Sequence, residues 1–479
     1  MKNQLFTSLE EGRKFCEDQF GKDVSFDLVM QDVFIQELPA LLVYVSGLVD
    51  NTNLSNMLVH LQHSHHDDIE DEEAYFYAHF NFQSITPSVS TEKFLLFVLS
   101  GQVGIITKSG YAYTTEFRSY PGRNPEEPDN ERVIRGSRDG FAENIIINAS
   151  LIRRRIRSPQ LRFELQQIST LGKTDVAICY MNELVNQEHL EWIKTRFKQI
   201  HQDGLTMADK SLEEWLFKQK FNPVPFVRYS EWPDIVAAHL LEGHIAIVVD
   251  TSPSVMLMPV SIFHLLMHAE EFRQAPMIGT IMRGLRYIAF FLSLFLLPFW
   301  YLLATNTEIL PESISYIGVS EKSEVPLYLQ LVLADLGIEF LRIAAIHTPS
   351  PLSTAMGLIA GIMIGDIAIN AGLFTGEAIL YTAITALLTF AIPHYELSIS
   401  TKVFRQFLLA MTAIFAANGF FIGSLGVFLY LYALRPMKIP YLWPLVPFFP
   451  KAFARVMIRY PMSDNAIRPY IVGSKNRKR

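Results

Sequence analysis

"YIAFFLSLFLLPFWYLLATN", residues 287–306, decides the fold class, because none of its twenty residues carries a charge. A helix of that length reaches about 30 Å, the thickness of a bilayer's hydrocarbon core. Arg283 and Arg286 precede the run, and Glu308, Glu312, Glu321 and Glu324 follow it. By the positive-inside rule, what comes before the run stays in the cytoplasm.

Downstream, 343–373, 378–395 and 406–434 are further candidate spans. The last has 29 residues, more than the core needs, so a tilt or a break near Asn418 and Gly419 is expected. The tail 435–479 carries ten Lys/Arg against one Asp and reads as cytoplasmic. An even number of crossings follows. Four satisfy it if 326–346 lies at the interface or re-enters. Lys402 and Arg405 then fall on the outer side, against the rule.

Upstream the character changes. Of 41 Lys/Arg and 48 Asp/Glu in the 479 residues, 26 and 38 lie in 1–283, and 15 and 10 in 284–479. An acidic soluble half joined to a basic membrane half suits an anionic inner leaflet and excludes a nucleic-acid binder. Cys16 and Cys179 are the only cysteines, so neither a disulfide framework nor a zinc site is legible. The first twenty residues carry charges throughout and have no apolar core, so no signal peptide is expected there.

Short apolar runs at "PALLVYVSGLVD" (39–50) and "KFLLFVLSGQVGIIT" (93–107) predict strands meeting at glycine turns, the second as a hairpin. The proline-rich, acidic stretch 119–131 marks a subdomain boundary. Beyond it, 174–200 reads as strand then helix, and 231–253 as helix then buried strand. The expected fold class is therefore mixed. An N-terminal soluble α/β part has two subdomains, 1–125 and 126–283. An all-α multi-pass membrane domain follows at 284–435, with about four transmembrane helices plus one interfacial or re-entrant helix, and a basic cytoplasmic tail occupies 436–479.

Enzymatic motifs fail. "LGKTD" (171–175) lacks the earlier glycine of a phosphate loop, since position 167 is Gln, and "RGSRDG" (135–140) lacks the central serine of a nucleophile elbow. Neither an enzyme nor a cofactor is expected. His60, His63, His65 and His66 beside an acidic run have the donor types for a divalent metal, but a solvated loop explains them as well, and no metal is expected. Arg153, Arg154, Arg155, Arg157 and Arg162 sit on a predicted helix interrupted by Pro159. They face anionic headgroups, a neighbouring subunit, or local partners such as Glu143 and Glu164.

Within the second span, "MGLIAGIMIGDIAIN" (356–370) carries Gly357, Gly361 and Gly365 on one stripe, which allows another helix to approach closely. Asp366 lies about 100° round from Gly365, with Asn370 one turn later and Met363, Ile362 and Ile359 before it. A carboxylate there costs about 2.5–3.5 kcal/mol on insertion scales. A water-filled lumen hydrates it directly, and a packed neighbour has to pair it. In a ring of identical subunits these residues make an acidic cation filter beside an apolar constriction. A second polar stripe, Asp335, Glu339 and Arg342, is a structural ion pair, an interfacial anchor or an ion path.

Four blocks in order, "RGSRDGFAENIIINASLIRRRIRSPQLRFE" (135–164), "LLEGHIAIVVDTSPSVMLMPV" (240–260), "IEFLRIAAIHTP" (338–349) and "IGDIAINAGLF" (364–374), resemble the GerA family of spore germination proteins, A-subunit type. "YLQLVLADLGIEFLR" and "PYLWPLVPFFPKA" (440–452) are most similar to its stage V sporulation AF branch. The resemblance implies a multi-pass protein of the inner spore membrane with its soluble part facing the spore core. It implies a homo-oligomeric ring, a pentamer, passing K⁺, Na⁺ or H⁺ through the bilayer, with a companion membrane protein and other germination proteins as partners. The A-subunit pattern implies glutamine where this chain has Asp366. The alternatives are a ligand-sensing A subunit of a nutrient receptor and a secondary transporter, although the inverted repeats of the latter are not seen.

Overall fold

The computed structural model describes residues 4–21, 24–35, 38–63, 85–120, 137–306, 317–319, 323–347, 357–358, 361, 367–461 and 468–474. The chain forms two compact units. One comprises Met1–Gln219, Val227–Pro259 and Met462–Arg479, the other Lys220–Phe226 and Val260–Pro461. The second unit therefore begins ahead of the boundary drawn at 283, and the basic tail is shared between both.

The first unit holds two five-stranded sheets. Helix α1 (Leu9–Phe20) is capped by Ser8, whose Oγ accepts from Glu11 N, and buries Leu9, Gly12, Cys16 and Phe20 at helical spacing. Then come β1 (Leu28–Ile35), β2 (Leu38–Val45), α2 (Asn51–His63), β3 (Ile85–Pro87), α3 (Thr91–Leu99), β4 (Val103–Thr107) and β5 (Ala112–Thr115). The sheet order is β1-β2-β4-β5-β3, antiparallel throughout. Residues of α1 and α3 pack on Leu41, Val43 and Ile106, and residues of α2 pack on Leu42, Val103 and Ile105. Each face of β2 is thus covered, which is why its run is apolar without alternation.

The expected hairpin at 93–107 is instead helix α3 followed by β4. Ser90 Oγ accepts from Lys93 N, and Phe94, Leu95, Val98 and Leu99 are buried at helical spacing. A short apolar run fits either structure, and the cap decides it.

The second sheet uses α4 (Ile145–Arg155), β6 (Leu161–Ile168), β7 (Thr174–Met181), α5 (Gln187–Phe197), α6 (Ala208–Phe217), β8 (Arg228–Ser230), α7 (Pro233–Glu242), β9 (Ile245–Val249) and β10 (Val255–Met258). Its order is β6-β7-β9-β10-β8, again antiparallel. The strand and helix readings of 174–200 and 231–253 hold. The arginine-rich segment is not one interrupted helix, because α4 ends at Arg155 and strand β6 follows the turn at Pro159.

Its arginines also find other partners than expected. Buried Arg153 bonds Asp27, the residue ahead of β1, through Nε (2.8 Å), Arg155 pairs with Asp139 and Asp234, and Arg162 donates to Gln19 O. Glu164 goes to Lys194 and Tyr180. The chain's far end belongs to this unit as well. Arg468 Nε donates to Leu241 O at 3.1 Å, and Ile471, Val472 and Ser474 are buried, with Val472 and Ser474 beside Gly243.

The second unit is helical: α8 (Ile262–Leu266), α9 (Ala269–Arg273), α10 (Pro276–Thr305), α11 (Leu327–His347), α12 (Ala368–Asn370), α13 (Gly376–Phe390), α14 (Tyr395–Ala433) and α15 (Pro450–Met457). Two of these, α10 and α14, are long and apolar enough to cross a membrane, so the four expected spans reduce to two by that criterion among the described residues. The 378–395 candidate is shortened because α13 stops before Pro393 and a new helix starts at Tyr395. The 343–373 candidate lies in large part outside the described residues.

Candidate functional site

The 39 residues of α14 are not one rod. Ala416 has φ 49° and ψ −133°, and around it the chain reverses. The rings of Phe404 and Tyr430 lie 5.8 Å apart, whereas 26 residues of straight helix separate positions by about 39 Å. A Cβ at Gly423 would touch Leu408 and Met411, and a Cβ at Gly419 would collide with the Met411 carbonyl. Helix α14 is therefore a hairpin whose arms, 395–415 and 417–433, meet along Gly419 and Gly423. The expected break near Asn418 is present two residues earlier.

Four helix directions follow from side-chain levels. On α10, Tyr301 meets Tyr328 of α11, while Ser293 and Asp335 share Arg405, so α11 runs antiparallel to α10. Trp300 stacks on Tyr381 of α13 at 4.5 Å, and Ser293 shares Arg405 with Thr389, so α13 is antiparallel to α10 too. Leu409 clusters with Leu297 and Trp300 while Arg405 reaches Ser293, so the first arm of α14 runs parallel to α10. The second arm returns, with Phe420 against Phe295 and Phe299.

At the level of Ser293 lies the site. Arg405 is fully buried, and its guanidinium joins four helices: Nη1 donates to Ser293 O (2.9 Å) and Thr389 Oγ1 (3.0 Å), and Nη2 to Asp335 Oδ1 (2.7 Å). Gln406 Nε2 donates to the other oxygen of Asp335. Lys402 Nζ sits 3.7 Å from Asp335 Oδ1 and 2.6 Å from Glu339 Oε2. Arg342 forks onto Glu339 through Nε and Nη2, bonds Ser398 Oγ, and lies over the rings of Tyr395 and Phe390. An arginine fork can serve several helices at once where a lysine cannot.

The stripe Asp335, Glu339 and Arg342 is thus brought together with Lys402 and Arg405. Helix α11 packs on its neighbours, with Leu331 buried among Leu297, Trp300, Ala378 and Leu409. The two cations that broke the positive-inside rule are neutralised by the acids of α11. Sequence reading did not join them, because Arg405 follows Asp335 by seventy positions. The signal available was arithmetic: two acids on one apolar helix and two bases on another.

Of the other expected site residues, Asp366, Ile362, Met363, Ile359 and Gly365 lie outside the described residues. Gly357, Gly361 and Asn370 are exposed, and among the described residues a Cβ at either glycine would meet nothing within 4 Å. Close glycine approaches among the described helices include Gly419 and Gly423, a Gly-xxx-Gly spacing in "NGFFIGSLG" outside the expected stripe. His60 is exposed at the end of α2. His65 and His66 lie outside the described residues, as does the side chain of His63. Among the described residues no three His, Cys, Asp or Glu converge on a metal position.

The GerA family model, described as Bacillus/Clostridium GerA spore germination protein, matches residues 14–471. The chain is 41% identical to stage V sporulation protein AF of Bacillus subtilis, covering 100% of this chain and 98% of that protein. It is 26% identical to spore germination protein KA of the same organism, covering 95% and 85% respectively. Among solved structures, the N-terminal domain of the A subunit of the Bacillus megaterium spore germinant receptor GerK3 is 26% identical, covering 53% of this chain and 96% of that one, with a TM-score of 0.42.

Proposed function

The chain belongs to the GerA family of spore germination proteins, and from that premise we propose that it is a ring-forming, pentameric channel of the inner spore membrane. It releases monovalent cations during germination, with its N-terminal unit facing the spore core. Helices α10 and α14 are long and apolar enough to cross the membrane, and α11 and α13 pack against α10. Ser323 Oγ donates to Gly372 O beside the start of α11, while α11 ends at His347, about 30 Å away by its 21 residues. Asp366 belongs to the 343–373 run, which we take as a further membrane span.

The observation that carries this reading is the exposure of Gly357, Gly361 and Asn370. Among the described residues nothing lies within 4 Å of a Cβ built at Gly357 or Gly361, and small residues so placed allow a neighbouring subunit's helix to approach closely. In the ring, Asp366 selects cations and Ile359, Ile362 and Met363 close the path by dewetting. The charge cluster around Arg405 is closed by its own ion pairs and holds the helices in register.

The test is recording from purified protein in planar bilayers under a KCl gradient, with Na⁺ and then Cl⁻ exchanged. Cation-selective steps that lose selectivity in Asp366→Asn, with the oligomer intact, are expected. Absence of conductance, or unchanged selectivity in the variant, overturns the proposal. The second reading is a ligand-sensing A subunit of a nutrient receptor. That reading requires conductance or thermal stability to respond to small nutrients added to the purified protein.

A further inference from the structure

Helix α15 is short, and it is fixed to the first turns of α10. Arg283 Nη1 donates to the carbonyls of Arg455 (3.1 Å) and Val456 (3.0 Å), and Tyr287 Oη donates to Val456 O (3.0 Å). Arg283 is itself held by buried Glu271 through Nε at 2.7 Å. Arg459 adds bonds to Phe272 O and Thr280 Oγ1. Ala452 and Val456 point inward, and Phe453 packs on Phe263.

These bonds set the depth of α15. Arg283 stands four residues ahead of the uncharged run that begins at Tyr287, so α15 lies where the polar end of α10 gives way to its apolar body. What α15 and its flanks turn outward is of two kinds. Phe448, Phe449, Ile458 and Tyr460 are exposed, as are Met277, Ile278, Ile281 and Leu285 on adjoining α10. Arg435, Lys438 and Lys451 are exposed as well. Residues 435–461 hold five Lys/Arg and no Asp or Glu. Aromatic and aliphatic side chains next to the exposed cations Arg435, Lys438 and Lys451, at the border of an apolar span, match the chemistry of a headgroup layer and not of bulk water.

We propose that residues 435–461 form an interfacial collar that binds anionic phospholipid. Arg435, Lys438 and Lys451 pair with lipid phosphates while Phe448, Phe449 and Ile458 enter the acyl boundary. Binding rests on the membrane character of the helical unit and is independent of ion conduction. The collar gives the protein a preference among lipids, and through Arg283 it ties that preference to the base of α10.

The experiment uses full-length protein, delipidated in detergent and titrated with phosphatidylglycerol or phosphatidylcholine while lipid adducts are counted by native mass spectrometry. Wild type is expected to retain phosphatidylglycerol over phosphatidylcholine. Each surface cation is worth about fivefold in affinity, so Arg435→Gln/Lys438→Gln/Lys451→Gln should lose roughly a hundredfold for the anionic lipid and nothing for the zwitterionic one. Equal retention of both lipids by wild type, or an unchanged preference in the triple variant, overturns the proposal. A fluorophore on Phe448→Cys in bilayers gives an independent reading. Quenching by brominated lipid supports the collar, and quenching by aqueous iodide as fast as at Lys198→Cys refutes it.

Discussion

Replacing Asp335 by Asn removes the charge that Arg405 faces while keeping shape and a carbonyl acceptor. Arg405 and Asp335 are 0% and 1% exposed, so no water takes over. Of the cluster's charges, Arg405, Lys402 and Arg342 would then share Glu339 alone, and Glu339 is already bonded to Lys402 and Arg342. Breaking a buried pair in this way costs about 3–5 kcal/mol. For a unit of roughly 200 residues each kcal/mol moves the melting temperature by about 2–4 °C, so Asp335→Asn should melt roughly 6–20 °C lower. The assay is fluorescence-detected size exclusion of the detergent-solubilised protein after heating. Asp335→Leu/Arg405→Met removes both charges and should recover to within about 1 kcal/mol of wild type. Arg405→Lys retains the charge but loses the fork to Ser293 and Thr389, and should fall between. A single variant within a few degrees of wild type, or a double variant as unstable as both singles combined, would refute the account of this site as a closed ion pair.

Gly419→Leu places a side chain on the Met411 carbonyl and should abolish the monodisperse species, whereas Gly426→Ala, with nothing within 4 Å, should leave it unchanged in size exclusion. Cys16 and Cys179 are buried, and burial pushes the Cys16 thiol up to about 12 and that of Cys179 upward, so a thiol-reactive dye should count no thiols in the folded protein and two in denaturant. Against that silent background, Asn3→Cys and Lys475→Cys should both resist a membrane-impermeant reagent in intact cells, and labelling of either would contradict a core-facing N-terminal unit. Burial lowers His189 below its ordinary 6.5. Below that pH the unfolded chain binds a proton that the native state does not, so stability should fall from pH 7 to pH 5, and His189→Gln should flatten that part of the melting profile.

Legibility followed the range of the interaction. The span at 287–306, the strands at β2, β7 and β9, and helices α5 and α7 are written in local periodicity, and reading them needed no partner. Helix α3 was misread because Phe94 to Leu99 is an apolar run that either structure accepts, and the deciding bond comes from Ser90. The arginines of α4 were recognised as a cluster, but their acids, Asp27, Asp139 and Asp234, arrive from other elements. Arg405 was noticed only as an offender against a charge rule. Its pairing with Asp335 depends on α13 and both arms of α14 packing on α10, and no window of sequence contains that arrangement. The excess length of 406–434 predicts a tilt or a break near Asn418 but not the reversal at Ala416, by which one hydrophobic segment makes two arms.

The tail that returns to the first unit makes a closed circuit of the polypeptide. Arg468 and Val472 lodge against Leu241 and Gly243, on the same folded body from which the chain departs at Pro259. A strand that leaves a body on one side of a sheet of lipid and rejoins the same body has pierced that sheet an even number of times. This parity owes nothing to hydropathy or to the placing of lysines, so a span can be added or removed from any count only together with another.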